Sequence, residues 1–332
     1  MMKKSIDYEK LISYGVRAPS GHNTQPWLFS IESDEIHIHP DLTRTLPVVD
    51  GDNHALYISL GCAAENIILA ASKVGLSGDV SISESHDEAT YLKISLSPDV
   101  AIEKDELFDF INRRQSTRNE YLQKQVPTED LDALKESFEL DGISMLTFTE
   151  SKDFDTLQPL IIEGSNNQFK NNRFVEELVN WFRFSKSEAE ERGDGLWTQC
   201  MGLPNMPSFI GNIVMKYFVS ANSEAKRWKK LIGATAGFAL FIAEKHDILH
   251  WVRLGRAFQR FGLTATKLGI SHAHVNMPCE EPEVRQKLIS ELNLDPGFPL
   301  LLIRFGYSEK MPFSFRRSVN EVLINRKQET YV

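Results

Sequence analysis

Arginine, hydroxyl and amide side chains cluster in one short stretch of the sequence, "INRRQSTRNEY" at residues 111–121. Guanidinium groups offer forked donors, and the hydroxyl and amide groups add neutral ones, so together they suit a phosphate monoester. A solvated basic patch at a helix end, favoured there by the helix dipole, explains the same residues equally well. A second basic doublet, Arg316 and Arg317 in "FSFRRSVNEVL", favours the phosphate site, because two doublets in an acidic protein can converge on one phosphate.

The stretch "APSGHNTQPWLF", residues 18–29, joins a predicted helix to a predicted strand through small and amide-bearing residues. Pro19 ends the helix, and Ser20 and Gly21 let the backbone approach a flat ligand closely. Asn23 and Gln25 present both donors and acceptors. An ordinary elaborate turn is the alternative, but such a turn needs neither a Ser-Gly step after proline nor two nearby amides. The loop is therefore predicted to face a flat polar partner.

Other motifs with chemical potential are weaker. The pairs His37/His39 and His272/His274 each place two imidazoles on one face of an extended chain, a spacing that metals can use. No carboxylate or third histidine stands at a supporting distance, so surface or capping histidines are expected and no metal site is predicted. The sequence contains no G-x-G-x-x-G opening a helix after a strand, no P-loop motif and no G-x-S-x-G. Rossmann dehydrogenases, P-loop enzymes and α/β-hydrolases are therefore disfavoured.

Composition places the chain among ordinary globular proteins. Of its 332 residues, 42% are hydrophobic and 25% are charged, and the formal net charge of −9 argues against general binding to nucleic acids or anionic membranes. Three scattered cysteines fit a reducing compartment. The N-terminal "MMKKSIDYEKL" lacks the apolar segment of a signal peptide, and the apolar run at 231–243 is too short to span a bilayer. A soluble, cytoplasmic protein is expected.

The elements that must position these residues follow from periodicity and turn signals. We expect a helix over 6–17, a hairpin with strands at 27–31 and 35–39, and a strong helix over 55–76. A helix starting at 105 is predicted to run into the basic stretch. Further predicted helices cover 127–140 and about 250–269, and further strands cover 91–97, 144–150, 236–243 and 299–308.

An internal repeat organises the chain. Residues 58–76 align with 252–270 at an offset of 194, with identical residues at seven positions that include Gly61 and Gly255. Because an interior glycine costs a helix about 1 kcal/mol, close packing of one helix on its copy or on a ligand is expected. Two halves are predicted, 1–100 and 101–332, with facing central helices. The segment at about 165–230 is predicted to be a lid over a cofactor, or an insertion with its own small core.

The loop at 18–29 resembles the P-S-[SG]-x-N-x-Q-P-W-x-F signature of the nitroreductase-like flavoproteins, and "RRQSTR" resembles their Arg-Arg-x-Ser-x-Arg phosphate motif. Ordinary members carry the basic motif first, whereas here it lies far downstream. That reversed order resembles the Acg-type branch, whose members look like two fused halves. The resemblance implies an α+β, nitroreductase-like fold with two tandem pseudo-symmetric halves. Each half would hold a mostly antiparallel sheet flanked by helices, and a helical lid would be inserted.

The resemblance also implies residue roles around FMN, and no catalytic side chain, since the flavin carries the chemistry. The loop would contact the isoalloxazine ring, the basic motif would hold the phosphate and ribityl chain, the C-terminal pair would complete the phosphate site, and the segment after the last central helix would run by N5. In that order, the residues are Pro19, Ser20, Gly21 and Asn23; Arg113, Arg114, Gln115, Ser116 and Arg118; Arg316 and Arg317; Val275 and Asn276.

The function implied is an FMN-dependent oxidoreductase. NAD(P)H would reduce the flavin, and a nitroaromatic, quinone or similar small molecule would accept the electrons. An FMN-binding or sequestering protein with a covered flavin and little reductase activity is the alternative. One FMN per chain is expected, because the first half alone carries the Pro-Ser loop and the second half alone carries the basic motif. The fused chain would act as a monomeric pseudo-dimer or form a homodimer.

Overall fold

The computed structural model describes residues 6–84, 90–99, 101–217 and 219–324. Part of the N-terminal stretch read for a signal peptide, and the predicted boundary at residue 100, lie outside the described residues. The helices are α1 Tyr8–Gly15, α2 His54–Ser72, α3 Thr128–Lys135, α4 Ser151–Lys170, α5 Asn172–Trp181, α6 Lys186–Arg192, α7 Ser208–Tyr217, α8 Ala221–Gly233, α9 Ile248–Lys267, α10 Met277–Glu280, α11 Pro282–Leu292 and α12 Val319–Val322. The strands are β1 Trp27–Glu32, β2 Glu35–Pro40, β3 Leu76–Glu84, β4 Thr90–Pro98, β5 Ile143–Phe148, β6 Phe182–Arg183, β7 Leu196–Trp197, β8 Gly237–Ala243, β9 Ser271–His274 and β10 Phe298–Gly306.

Two four-stranded antiparallel sheets have the same plan. The first has the order β1-β2-β4-β3 and the second β5-β8-β10-β9, so the strands correspond one to one. In each sheet a long helix, α2 or α9, separates the second strand of the sequence from the third. In each, a short helix and a loop precede the first strand: α1 with residues 16–26, and α3 with residues 136–142. The α+β class predicted from the sequence is confirmed.

The two central helices pack side by side and run in the same direction, since Trp251 lies near His54 at one end and Gln259 hydrogen-bonds Asn66 further along both helices. A Cβ atom on Gly61 would lie 2.2 Å from the carbonyl oxygen of Val252, and one on Gly255 would lie 2.0 Å from that of Ile58. Gly255 is the repeat equivalent of Gly61, and Val252 is the repeat equivalent of Ile58, each at the offset of 194. The two contacts are therefore equivalent to each other in the sequence repeat. Any side chain here would push the helices apart, so the interior glycines serve the packing of one helix on its copy.

Helix α2 is long and apolar enough to cross a membrane, but 89% of its most apolar window is buried inside the protein. Its apolar faces are explained by the core, where it packs against α1, the first sheet and α9. Strand β8, within the apolar run at 231–243, is buried along its whole length and forms the centre of the second sheet.

Several predicted elements differ from the structure. The helix predicted from residue 105 is only the 3₁₀ turn Glu106–Phe110, and the basic stretch that follows it is not helical. Strand β3 and helices α10 and α11 were not predicted. Between β5 and β8 the chain carries residues 149–236, whereas the corresponding strands β1 and β2 are joined only by the turn at Ser33 and Asp34. The ends of this insertion, α4 and α8, pack on the second sheet, so the predicted lid segment includes part of that sheet's own support.

Candidate functional site

One cleft brings together three distant parts of the chain: the Pro-Ser loop, the basic stretch and the segment after β10. It encloses about 620 Å³, including the part of its mouth that is open to solvent. The residues that line it are Arg17, Pro19, Ser20, Asn23, Ile111, Asn112, Arg114, Gln115, Ser116, Arg118, His274, Phe313, Ser314 and Arg316. Eight of the thirteen residues predicted from the sequence are among them.

The Pro-Ser loop is a compact, internally bonded turn. The hydroxyl of Ser20 accepts a hydrogen bond from the backbone N–H of Gln25 at 2.9 Å. His22, Asn23 and Gln25 all have positive φ, between 48° and 57°, which lets the chain reverse within a few residues. Trp27, fully buried, fixes the start of β1 directly behind it. The loop is therefore held in place from the core side.

The two amides of the loop bind the protein itself. Asn23 donates from Nδ2 to the carbonyl of Gly195 at 3.0 Å, and Gln25 donates from Nε2 to the carbonyl of Gly193 at 2.8 Å. Gln25 Oε1 also accepts from the backbone N–H of Arg317 at 2.8 Å. Of the amide groups predicted to face a ligand, Asn23 Oδ1 is buried without a hydrogen-bond partner among the described residues.

Arg114 lies at the floor of the cleft and is only 5% exposed. Its Nη2 donates to the carbonyl of Arg17 at 3.1 Å, while Nε and Nη1 are buried and have no partner among the described residues. The stretch around it is anchored to β9, since the N–H of Thr117 donates to the carbonyl of His272. Gln115 donates from Nε2 to the carbonyl of Met311, so it holds the C-terminal segment against the cleft.

Arg316, from the segment after β10, also lines the cleft. Its Nη1 donates to the carbonyl of Phe315 at 3.0 Å, and its Nε is buried without a partner in the described part of the chain. Within the described residues, no aspartate or glutamate lines the cleft, although four arginines do. Four positive charges without a lining carboxylate, in a protein with net charge −9, give the cleft a local positive field that suits an anion.

Burial lowers the pKa values of Arg114 and Arg316, and no carboxylate among the described residues of the cleft offsets their charges. Burial, with the nearby charge of Arg118, lowers the pKa of Arg114 to about 10. Burial and the charges of Arg114 and Arg17 lower the pKa of Arg316 to about 9. Both side chains stay charged near pH 7, and each is destabilised by its neighbours. A bound anion would relieve that repulsion and partner the free N–H groups.

Histidines of the second predicted pair lie at or behind this cleft. His274 lines it, and burial together with Arg118 and Arg114 lowers its pKa to about 3, so the ring is neutral. His272 is almost fully buried, and neither ring nitrogen has a hydrogen-bond partner in the described structure. In the first pair, His37 lies 3.1 Å from Glu35 and 3.5 Å from Glu32, and His39 hydrogen-bonds Ser30.

Five predicted site residues do not line the cleft: Gly21, Arg113, Val275, Asn276 and Arg317. Gly21 faces the opposite side of the loop, where an added Cβ would meet Leu46 at 2.9 Å. Arg113 is exposed and lies over the ring of Phe110, 4.9 Å from its centroid.

The remaining three residues, Val275, Asn276 and Arg317, make hydrogen bonds within the protein. Val275 is fully buried and donates its N–H to the carbonyl of Leu302. Asn276 accepts from the N–H of Leu302 at 2.8 Å and donates to Glu280. Arg317 donates to the carbonyl of Glu321, and to the carbonyl of Gln25 in the Pro-Ser loop. These contacts fix the strands and loops around the cleft.

Six lining residues were missed by the sequence analysis: Arg17, Ile111, Asn112, His274, Phe313 and Ser314. Arg17 directly precedes "APS", and Phe313 and Ser314 directly precede the C-terminal doublet, so adjacency to a motif was the available signal. His274 was considered as a metal ligand because of its spacing to His272. Its place in the cleft depends on the pairing of β9 with β10, which the sequence does not display.

A groove beside the second sheet lies between the loop before β5 and the central helices. It is lined by residues 136–140 with Glu65, Arg256 and Arg260, and we call it the second groove. Arg260 donates to Glu65 at 2.9 Å, to Asp105 at 2.9 Å and to the carbonyl of Ser137 at 3.1 Å. Arg256 donates to the other oxygen of Glu65 at 2.8 Å. The arginines of this groove thus have carboxylate partners.

Comparison with known proteins agrees with the motif resemblance. Two Mycobacterium tuberculosis proteins, from strains H37Rv and CDC 1551, are provisionally named NAD(P)H nitroreductases. Each is 24% identical to this chain over 325 residues, which cover 94% of this chain and 90% of the relative. The resemblance to the nitroreductase-like superfamily is therefore confirmed. No family model matches the chain.

Solved structures of similar chains include the FMN-dependent nitroreductase NfnB from Mycobacterium smegmatis, in complex with NADPH. It is 15% identical, with a TM-score of 0.40, and the match covers 68% of this chain and 97% of NfnB. A nitroreductase with bound FMN from Bacteroides fragilis is 16% identical, with a TM-score of 0.36, and the match covers 69% of this chain and 99% of that protein.

Proposed function

We propose that this protein is an FMN-dependent oxidoreductase of the nitroreductase-like superfamily, with NAD(P)H as reductant and a nitroaromatic, quinone or similar small molecule as electron acceptor. The observation that carries the proposal is the cleft with four arginines and no lining carboxylate within the described residues. Its position next to the Pro-Ser loop supports the proposal, because FMN joins a phosphate to a flat polar ring. The names of the curated relatives support the activity.

The residues of the cleft divide between the two ends of such a ligand. Arg114, Arg118 and Arg316, with the hydroxyl of Ser116, would hold the phosphate. Pro19, Ser20 and Asn23 would lie against the ring. When bound, FMN supplies the electron-transfer chemistry, and the protein supplies orientation and electrostatics.

Buried polar atoms without partners test the fit. Nε and Nη1 of Arg114 and Nε of Arg316 are donors that suit phosphate oxygens, and Asn23 Oδ1 is an acceptor that suits a ring N–H. Leaving such groups unpaired costs about 1–3 kcal/mol each. A phosphate-bearing heterocycle would satisfy both types together, so the residues present fit FMN.

One FMN per chain is part of the proposal, as are the division into two fused halves, the Acg-type branch and a cytoplasmic location. The stoichiometry is supported by the second groove, where Glu65 and Asp105 already neutralise Arg260 and Arg256. That groove has no unpaired cationic cluster for a second phosphate within the described residues.

The second candidate function, storage of FMN under a cover, is favoured by a specific contact. Residues 193–195 of the insertion bind both amides of the Pro-Ser loop, and the N–H of Gly195 donates to the carbonyl of Asn23 at 3.1 Å. Trp197 of the insertion packs on Phe315, 5.4 Å between ring centroids. The insertion therefore packs against two segments that border the cleft, the Pro-Ser loop and the segment after β10, although none of its described residues lines the cleft. A cover over the flavin would have to come from this insertion.

The visible spectrum of the purified protein, before and after anaerobic addition of NADH or NADPH, tests the two functions. We expect one FMN per chain, bleached by a nicotinamide nucleotide. Bleaching by dithionite but not by NADH or NADPH would favour storage. A colourless protein that FMN does not reconstitute would overturn both functions.

Arg114→Ala tests the site. It removes a charged phosphate donor and should weaken FMN binding about 10- to 100-fold. Riboflavin, which lacks the phosphate, is the matched ligand, and its affinity should change little. Equal losses for FMN and riboflavin, or no loss for either, would contradict the assignment of Arg114 to the phosphate.

A further inference from the structure

A cluster of histidine and aspartate side chains lies where the N-terminal ends of α2 and α9 meet, and none of its members lines the cleft described above. We propose that Asp52, His54 and His246 bind a divalent transition-metal ion of the zinc type. One ligand atom from each residue lies within 4.8 Å of the ligand atoms of the other two. Two imidazoles and a carboxylate are a common ligand set for catalytic zinc, with a fourth position left open.

The clearest distance in the cluster matches zinc geometry. Nε2 of His246 lies 3.3 Å from Oδ2 of Asp52. Ligand atoms bound at about 2.0–2.1 Å and separated by the tetrahedral angle lie about 3.3 Å apart. This pair can therefore chelate a zinc ion with little movement, and one nitrogen of His54 is close enough to become the third ligand.

An independent observation is the state of His54, which is only 4% exposed. Its Nδ1 lies 2.5 Å from Asp52 and 3.1 Å from Asp50. Its Nε2 is buried and has no hydrogen-bond partner among the described residues, and Nε2 of His246 also makes no hydrogen bond there. A buried ring nitrogen without a partner is costly in a purely structural ion pair, and a metal ion bound through that nitrogen would remove the cost.

The surroundings of the cluster also suit a metal ion. The ring of His246 stacks on Phe298 at 5.3 Å, and Trp251 lies 5.1 Å from His246 and 6.3 Å from His54 between ring centroids. An apolar shell around polar ligands strengthens metal binding. The side chains of Asp52 and His246 are 44% and 28% exposed, so an ion can enter from solvent.

The site would join the two repeated parts of the chain. Asp52 and His54 belong to the start of α2, and His246 lies between β8 and α9. The bound ion would link the ends of the two central helices, independently of any ligand in the cleft. Since nearly two hundred residues separate His246 from His54, the spacing rules that led us to expect no metal site could not reveal this cluster.

Zinc binding by the full-length chain, stripped with a chelator and dialysed, tests the proposal through isothermal titration with Zn²⁺ and elemental analysis. We expect one tight Zn²⁺ per chain, and a Co²⁺ visible absorption typical of four- or five-coordinate nitrogen and oxygen ligands. His246→Gln and Asp52→Asn should each weaken Zn²⁺ binding by at least about 100-fold, since loss of an outer-shell partner alone costs 10- to 100-fold. His246 is in a partly exposed loop, so its replacement should leave the fold intact.

The matched control is His37→Gln, because His37 also pairs with two carboxylates, Glu32 and Glu35. This variant should bind Zn²⁺ as the wild type does. Thermal melting in the presence of Zn²⁺ gives a second readout, with a rise in Tm for wild type and His37→Gln but not for His246→Gln. No Zn²⁺ bound to the wild type, or undiminished binding by His246→Gln, would show that the cluster is an ion pair only.

Discussion

The cleft beside the Pro-Ser loop and the second groove both lie beside a loop that precedes the first strand of a sheet, and the two sheets have the same strand order. The arginines of the second groove have carboxylate partners, whereas no carboxylate among the described residues lines the cleft. In the second groove, Glu65 is almost fully buried and accepts from both Arg256 and Arg260. Burial opposes ionisation there, but the carboxylates of Glu65 and Asp105 together raise the pKa of Arg260. In the cleft, burial and like charges lower the pKa values of Arg114 and Arg316.

The two places share a backbone plan and differ in charge pairing, so we infer that charge pairing decides which of them can take an anion. Arginines that already have carboxylate partners link the central helices, and their charge is compensated before any ligand binds. Arginines without such partners keep N–H groups for a ligand and make the empty cleft less stable. This view predicts opposite responses to mutation and pH in the two regions.

The largest effect is expected for Glu65→Ala in the second groove. It leaves Arg256 and Arg260 without the carboxylate that both share, and removing one partner of a buried ion pair costs about 3–5 kcal/mol. Because the arginine side chains are 23% and 28% exposed, we expect a loss of about 3 kcal/mol in the free energy of unfolding. Urea denaturation followed by circular dichroism measures it.

The control for this prediction is Glu139→Ala. Glu139 lines the same groove and is exposed. Its replacement should change stability by less than about 0.5 kcal/mol. If both variants lose the same small amount, the ion pairs of the second groove are not structural, and the contrast between the two regions disappears.

How far the sequence anticipates this contrast depends on the range of the contacts. The Pro-Ser loop, the basic stretch and the two central helices are predictable because each has a local pattern of residue types and spacing. The partners of Asn23 and Gln25 are not, because they lie about 170 residues away in the insertion. For the same reason, nothing in the sequence shows that Glu65 neutralises Arg260, while Arg114 has no carboxylate partner among the residues that the structure describes.

The second prediction concerns pH and the neutral His274 of the cleft. Burial and two arginines lower its pKa to about 3, whereas an unfolded histidine has a pKa near 6.5. Between these values the unfolded state binds a proton that the folded state does not, so stability must fall as the pH drops below about 6.5. Because the ring is partly exposed, we expect its share to be on the order of 1 kcal/mol between pH 7 and pH 5.

Urea unfolding of wild type and His274→Gln at pH 7 and pH 5 gives the loss in the free energy of unfolding on acidification for each protein. The difference between the two losses is the contribution of His274. The variant should lose less stability on acidification than the wild type. Inorganic phosphate should reduce the acid sensitivity of the wild type, since an anion in the cleft offsets Arg114 and Arg118 and makes protonation of His274 easier. Equal losses in the two proteins would mean that the charge of the cleft does not act on His274.

The smallest effect is expected for Arg113→Ala, which separates the residue pattern from the geometry. Arg113 and Arg114 are adjacent in "RRQSTR", and the sequence assigns both to the phosphate. In the structure Arg113 is exposed and lies over Phe110, whereas Arg114 lies in the cleft with N–H groups that have no partner in the described part of the chain. An exposed charge is screened by water and salt, so Arg113→Ala should change the affinity for FMN less than about twofold. Fluorescence titration of FMN against both alanine variants compares them directly. If Arg113→Ala lowers the affinity for FMN as much as Arg114→Ala does, both arginines contact the phosphate. Buried N–H groups without a partner would then fail to identify the arginines that bind the ligand.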